Sequence, residues 1–247
     1  MPISPNQGPT SGGTTVTITG VNLANTFAVH FGSNSATITA NTPTMVTVIA
    51  PSGDGAVDVT VTTGGGDSNP LTFYYIPPPI FTSLSIESGP TAGGNIVNLF
   101  GRYLETTTSC NFGSNTATPT IIGDGQLSVV VPAGTAAGAV SVSITTGGGT
   151  TSQLTYTYID APTISTVSPS SGPTAGGTSV TITGTNLSTT TSITFGGTVA
   201  SFGTVSSTTL VAVTPPGTAG AADVVVTTTG GSATAVGGYT YTAGPGI

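Results

Sequence analysis

The 247 residues carry eight acidic side chains against one Lys or Arg, a formal net charge of −7, and only 4% charged residues in all. One cation, Arg102, cannot neutralise a phosphate backbone that needs a Lys or Arg at each contacted phosphate, which excludes nucleic acid as a main partner. A single cysteine excludes a disulfide within the chain, and no apolar run reaches the length of a bilayer-spanning helix, which excludes membrane insertion in that form.

Polarity comes instead from hydroxyls. Roughly fifty threonines, mixed with Val and Ile, favour half-buried strands, and 37 Gly and 18 Pro cut the chain into short segments. The class these features predict is all-β.

In chain order, the first landmark is Gly8-Pro9-Thr10-Ser11-Gly12-Gly13, which returns as Gly89-Pro90-Thr91-Ala92-Gly93-Gly94 and as Gly172-Pro173-Thr174-Ala175-Gly176-Gly177. Behind each copy comes a strand with apolar residues at alternate places: Val16 and Ile18, Val97 and Leu99, Val180 and Ile182. Strict alternation marks a strand with one buried face, so these six residues are expected in the core. Next come Phe31-Gly32, Phe112-Gly113 and Phe195-Gly196, then the alternating runs from Val57 and Val140, each ending in a Gly-rich turn. A closing aromatic strand holds Tyr75, Tyr158 or Tyr241. A repeat of roughly eighty residues can bury its own core, so each copy is expected to be a domain, with boundaries at 1–76, 77–159 and 160–247. The short Pro-containing linkers Ile76-Pro77-Pro78-Pro79-Ile80 and Ile159-Asp160-Ala161-Pro162-Thr163 predict a semi-rigid, elongated rod of three immunoglobulin-like β-sandwiches.

The order S-P-x-x-G-P-T-x-G-G-T-x-V-T-I-T-G-x-N-L, then F-G, a Pro turn, V-x-V-T-T-x-G and Y-x-Y resembles the IPT/TIG immunoglobulin-like domain, most clearly at residues 4–23 and 168–187. The middle copy departs from it, with Ile86 for the Pro, Asn95 for the Thr and Phe100-Gly101-Arg102-Tyr103-Leu104 for T-G-x-N-L. The resemblance implies the sandwich fold. It leaves function open, since similar domains occur in cell-surface receptors, transcription factors and bacterial secreted or surface proteins.

Chemistry is sparse. His30 is the single histidine, next to Val29 and Phe31, and is expected at the surface. Cys110 aligns with Val29 and Ile193 and is expected to be a small core residue. The eight acids are scattered without a repeated constellation, so no catalytic residue, metal site or cofactor is expected. Phe100, Arg102 and Tyr103 stand where the other copies carry Thr, Val or Thr, and Asn, and Phe100 alternates with inward Leu99. These three are expected to form an exposed contact patch, because aromatics and Arg anchor interfaces.

The ends complete the reading. Tyr241-Thr-Ala-Gly-Pro245-Gly-Ile247 follows the linker pattern, and Ile247 aligns with Phe81 and Ile164, one repeat position before the place that Met1 takes. Met1, Pro2 and Ile3 at one end and Pro245 and Ile247 at the other are therefore expected to join neighbouring copies head to tail by strand addition. No basic segment followed by an apolar stretch marks a signal peptide at Met1. The expected function is a non-catalytic structural or adhesive rod, a subunit of an extracellular or cell-surface fibre or of a virion appendage. The alternative is a monomeric module that binds a cell-surface glycan or protein.

Overall fold

The computed structural model describes residues 2–245, and every regular element in them is a strand. The repeats form three sandwiches of two sheets each. In the first, one sheet orders Ile3–Ser4, Thr15–Thr19, Met45–Ile49 and Thr37–Thr42; the other orders Gln7–Pro9, Leu71–Ile76, Ala56–Thr63, Ala28–Phe31 and Asn34–Ser35, with Gly66–Asp67 also paired to Ala56–Thr63. The second repeats the plan with Ile80–Leu84, Ile96–Arg102, Gln126–Val130 and Pro119–Gly123 facing Ser88–Pro90, Gly149–Ile159, Gly138–Thr146, Ser109–Phe112 and Asn115–Ala117. The third does so with Thr163–Ser168, Ser179–Thr185, Thr209–Val213 and Ser201–Ser206 facing Ser171–Pro173, Gly231–Thr242, Gly220–Thr228, Thr190–Phe195 and Thr198–Val199.

Alternation fixes the cores. Val16, Ile18, Val97, Leu99, Val180 and Ile182 are all fully buried, as the sequence predicts. From the opposite sheets Phe31, Phe112 and Phe195 meet them, and each such side chain contributes about 1.5–3 kcal/mol by leaving water. Cys110 is fully buried at the same level.

The glycine motif acquires a structural meaning here. The chain crosses from one sheet to the other at Pro5 and Pro169, after cis Ser4–Pro5 and Ser168–Pro169 peptides, and the motif then lies parallel to the closing strand. Tyr75 pairs with Gly8, Tyr158 with Gly89 and Tyr241 with Gly172. The second glycine of each motif, Gly12, Gly93 or Gly176, has φ of +77, +68 or +75°, a backbone that favours glycine, and its N–H donates back to the carbonyl of Pro9, Pro90 or Pro173. A side chain there would also strike the backbone of Pro51, Pro132 or Pro215.

The same prolines accept from the closing tyrosines. Tyr75 Oη donates to the Pro51 carbonyl at 2.7 Å, Tyr158 to Pro132 at 2.8 Å and Tyr241 to Pro215 at 2.7 Å. Two residues after each proline, Gly53, Gly134 or Gly217 lies against the tyrosine ring, where a Cβ on Gly134 would sit 2.8 Å from it.

One position two residues earlier distinguishes the copies. Sandwich 1 carries Phe73; in sandwich 2 the Asn95 amide donates to Tyr156 Oη at 2.9 Å; in sandwich 3 Thr178 replaces Asn95, and Tyr239 Oη is buried without a partner. A buried hydroxyl that loses water and gains nothing is a net cost. Tyr239→Phe should therefore raise the stability of sandwich 3 by about 1 kcal/mol, whereas Tyr156→Phe should lower that of sandwich 2 by about 1–2 kcal/mol. Urea unfolding of the two variants checks the opposed signs; equal effects would remove the distinction.

Candidate functional site

Four regions bear on function. The first is the patch in sandwich 2. Phe100 lies on the face opposite Leu99, as expected, but it is half-buried rather than exposed. Its strand is central in the sheet, so Ser83 on one side and Gln126 on the other shield the ring. Arg102 is exposed opposite Ile80, and Tyr103 is 39% exposed. Tyr103 has φ +61°, left-handed like the aligned Asn22 and Asn186 at +59° and +57°. Asn tolerates that conformation, and an aromatic residue there is strained. Tyr103→Asn should raise the melting stability of sandwich 2 by about 1 kcal/mol; a loss on thermal unfolding would mean that the ring's packing outweighs its backbone strain.

The second region is the set of terminal residues. Pro2 is exposed and its carbonyl accepts from Thr19 N–H at 3.1 Å; Ile3 is half-buried, pairs with Ile18 and packs on the core of sandwich 1. Pro245 is exposed. Met1 and Ile247 lie outside the described residues.

A surface beside Pro2 is best described by comparison with the other two copies. Ahead of sandwich 2 the Pro77 carbonyl rests so close to Gly148 that a Cβ there would collide with it, and the Asp160 carbonyl does the same at Gly230 ahead of sandwich 3. Asn186 Nδ2 donates to the Ala161 carbonyl at 3.0 Å. The segments then continue as strands: Ile80 and Phe81 pair with Arg102 and Gly101, and Thr163 and Ile164 with Thr185 and Gly184. Phe81 is buried, and Ile164 packs on the core of sandwich 3. In sandwich 1 the matching residues are Gly65, Asn22, Val21 and Gly20. They line two cavities, one of about 360 Å³ bounded by Val21, Asn22, Gly65 and Gly66, the other of about 650 Å³ bounded by Pro2, Thr19, Gly20, Val21, Thr44 and Met45.

The third region is a cleft of about 860 Å³ in sandwich 3, between the turn at Gly196-Gly197 and the loop at Pro216-Gly217. Phe195 and Tyr241 lie at its base, and Asp223, Thr194, Thr198 and Thr218 line its walls. Asp223 Oδ1 accepts from Gly237 N–H at 2.8 Å, where a register shift between Ala222 and Val224 bulges the neighbouring strand. Sequence reasoning passed over these residues. The signal available was the alignment of Thr198 with Asn34 and Asn115, and of Ala222 with Val57 and Val140.

The fourth region comprises the isolated reactive groups. His30 is half-buried on its strand, with Ser35 and Thr60 as cross-strand partners. Burial pushes the Cys110 thiol up to about 12, which keeps it protonated and unreactive at neutral pH. Burial likewise raises Tyr75, Tyr156, Tyr158 and Tyr241. Among the described residues no three His, Cys, Asp or Glu side chains come together as a metal site would require. No helix of the described residues is long and apolar enough to cross a membrane.

The IPT/TIG domain profile matches residues 1–75, 79–158 and 162–243. The chain belongs to the IPT/TIG family. Among solved structures, it is similar to the plexin A4 full extracellular region at 17% identity, covering 93% of this chain and 22% of that one, with a TM-score of 0.45. It is also similar to the Escherichia coli adhesin FdeC at 15% identity over 95% of both chains, TM-score 0.35, and to SGBP-B from a xyloglucan utilization locus of Bacteroides uniformis at 21% identity over 66% of this chain and 50% of that one, TM-score 0.32. The chain spans between about a fifth and a third of the two plexin chains it matches. These likenesses concern the immunoglobulin-like fold.

The buried thiol generates a pH prediction with a definite sign. In the unfolded chain Cys110 ionises from about pH 9, whereas in the folded chain it holds its proton to about 12, so the folded state binds the extra proton in between. Stability should then be fully present below pH 9 and fall by about 1.4 kcal/mol per pH unit between 9 and 12, with the buried tyrosines adding to the loss. Cys110→Val, the residue of sandwich 1, should flatten the thiol's share of that slope. Urea titrations of sandwich 2 across this range measure it; a slope unchanged by the substitution would contradict the assignment.

Proposed function

We infer that the chain is a non-catalytic adhesive or structural module that works outside the cytoplasm, in a surface fibre or a virion appendage, and joins head to tail with copies of itself. The observation that carries this reading is the seat in sandwich 1. Its two cavities occupy the positions where an extended Pro-containing segment lies against sandwiches 2 and 3. Residues 242–247 have the sequence pattern of such a segment, with Pro245 spaced from Tyr241 as Pro79 is from Tyr75. Seated there, the tail of one copy would carry its apolar end into the 650 Å³ cavity of the next and pair along residues 20–21, as Phe81 and Ile80 pair with Gly101 and Arg102. Pro2, Ile3 and Pro245 would border that joint.

The patch of Arg102 and Tyr103, with Phe100 beneath it, would serve contacts along the side of the assembly. An exposed aromatic kept in a strained conformation is a feature that function accounts for better than stability does. A second reading, binding of a glycan as a monomer, is favoured by the cleft in sandwich 3.

Two variants test the joint from its two sides. Deleting residues 243–247 removes the inserted segment. Gly65→Val blocks the seat, and it should leave sandwich 1 intact because a Cβ at Gly65 meets only Thr63 Oγ1, at 3.6 Å. Light scattering and electron microscopy should find concentration-dependent linear assemblies of the intact chain, resistant to high salt because the contact is apolar, and monomers of either variant. Assemblies that persist in both variants, or an intact chain that stays monomeric at high concentration, would overturn the head-to-tail reading in favour of the monomeric one.

A further inference from the structure

The cleft in sandwich 3 arises from specific departures from the repeat. In sandwich 1, Asn34 Nδ2 donates to the Ser52 carbonyl at 2.9 Å and ties the hairpin turn to the loop beside it. Thr198 and Pro216 take those two places in sandwich 3, and the shorter threonine side chain makes no such bridge. Beneath the turn, Val57 lies in van der Waals reach of Gly32, whereas Ala222 supplies only a methyl group below Gly196. With the tie absent and the valine trimmed, turn and loop border about 860 Å³, within the range of small-ligand sites.

The walls define what would fit. Asp223 is exposed at the rim, and its carboxylate is held by Gly237 N–H with most of its acceptor sites still open. Thr194, Thr198 and Thr218 each offer a hydroxyl that donates and accepts, while Ala221, Ala222 and Val225 give an apolar side. A phosphorylated or carboxylated ligand would meet a carboxylate and no cation, since the chain's one Arg or Lys, Arg102, is in sandwich 2. A purely apolar ligand would strand the carboxylate and the hydroxyls without partners. The combination of a fixed carboxylate, several hydroxyls and an apolar wall suits a neutral pyranose. Adjacent sugar hydroxyls donate to Asp223, and the C–H face of the ring packs on the alanines and Val225.

We propose that this cleft is a saccharide site, taking one or two rings of a neutral oligosaccharide with Asp223 as the principal acceptor. This deepens the glycan-binding part of the second reading above, which it rests on, and does not depend on whether the chain is monomeric.

The test uses the full chain and a panel of neutral gluco-, galacto-, manno- and xylo-oligosaccharides, followed by calorimetry and by amide chemical shifts. The double variant Thr198→Asn/Ala222→Val restores the residues of sandwich 1 and should close the cleft while leaving the melting curve in place. Asp223→Asn removes the charge of the acceptor without changing its shape, and Asp58→Asn alters the aligned aspartate of sandwich 1 as a control. The expected result is saturable binding by at least one sugar, weakened about tenfold or more by the closing variant and by Asp223→Asn and unchanged by Asp58→Asn, with shifts centred on residues 194–198 and 216–223. Binding that survives closure of the cleft overturns the site while keeping the glycan-binding reading. An intact chain that binds no member of the panel overturns the site and that reading together. Head-to-tail assembly, read by light scattering, is independent of either result.

Discussion

The hydrogen bond from the closing tyrosine to a proline carbonyl is the constraint on which each sandwich depends. It joins the last strand of one sheet to the loop leaving the other, at Tyr75 and Pro51, Tyr158 and Pro132, and Tyr241 and Pro215. The tyrosine backbone at the same position holds the crossing strand in parallel register through Gly8, Gly89 or Gly172. The ring needs room, which Gly53, Gly134 and Gly217 provide, and the proline backbone needs a close neighbour without a side chain, which is the second glycine of the motif. The most recurrent letters of the repeat are thus explained by one corner, where buried polar groups are satisfied and two sheets are fixed against each other. No disulfide is required for this, and the lone cysteine serves only as core volume.

Because the corner and the alternating cores hold the fold, other positions are free to diverge, and it is there that function can be sought. Sandwich 1 carries two cavities beside residues 20–22, sandwich 2 an Arg and a strained Tyr beside it, and sandwich 3 a cleft with a fixed carboxylate. Each departs from the repeat by a few residues. None disturbs the tyrosine corner, which keeps nearly the same geometry in all three copies.

Much of the fold was legible because it rests on local periodicity. Alternation alone placed Val16, Ile18, Val97, Leu99, Val180 and Ile182 inside, and alignment alone placed Cys110 there. The exposure of Phe100 was misjudged because alternation gives the direction of a side chain and not the shielding that strands on both sides supply. The parallel pairing of the glycine motif with the closing strand joins residues more than sixty positions apart, and no local pattern announces it. The cleft was invisible for another reason: it results from the loss of a bridge that sandwich 1 possesses and of the valine that both other copies carry, so it can be read only by comparing copies at positions that already look unremarkable. Met1 and Ile247, on which the terminal reading leaned, lie outside the described residues, whereas the cavities beside Pro2 are lined by Gly20, Val21, Asn22 and Gly65, which no terminal pattern pointed to.

If the corner governs the fold, a perturbation confined to it should release distant strands together. Gly134→Ala places a methyl group 2.8 Å from the Tyr158 ring, and overpacking of this kind costs about 1–3 kcal/mol. Hydrogen exchange followed by mass spectrometry reads the consequence strand by strand. The account predicts that protection falls in concert in the loop at residues 131–134, the closing strand Gly149–Ile159 and the crossing strand Ser88–Pro90. Loss of protection limited to the loop, with both strands exchanging as in the parent chain, would contradict it.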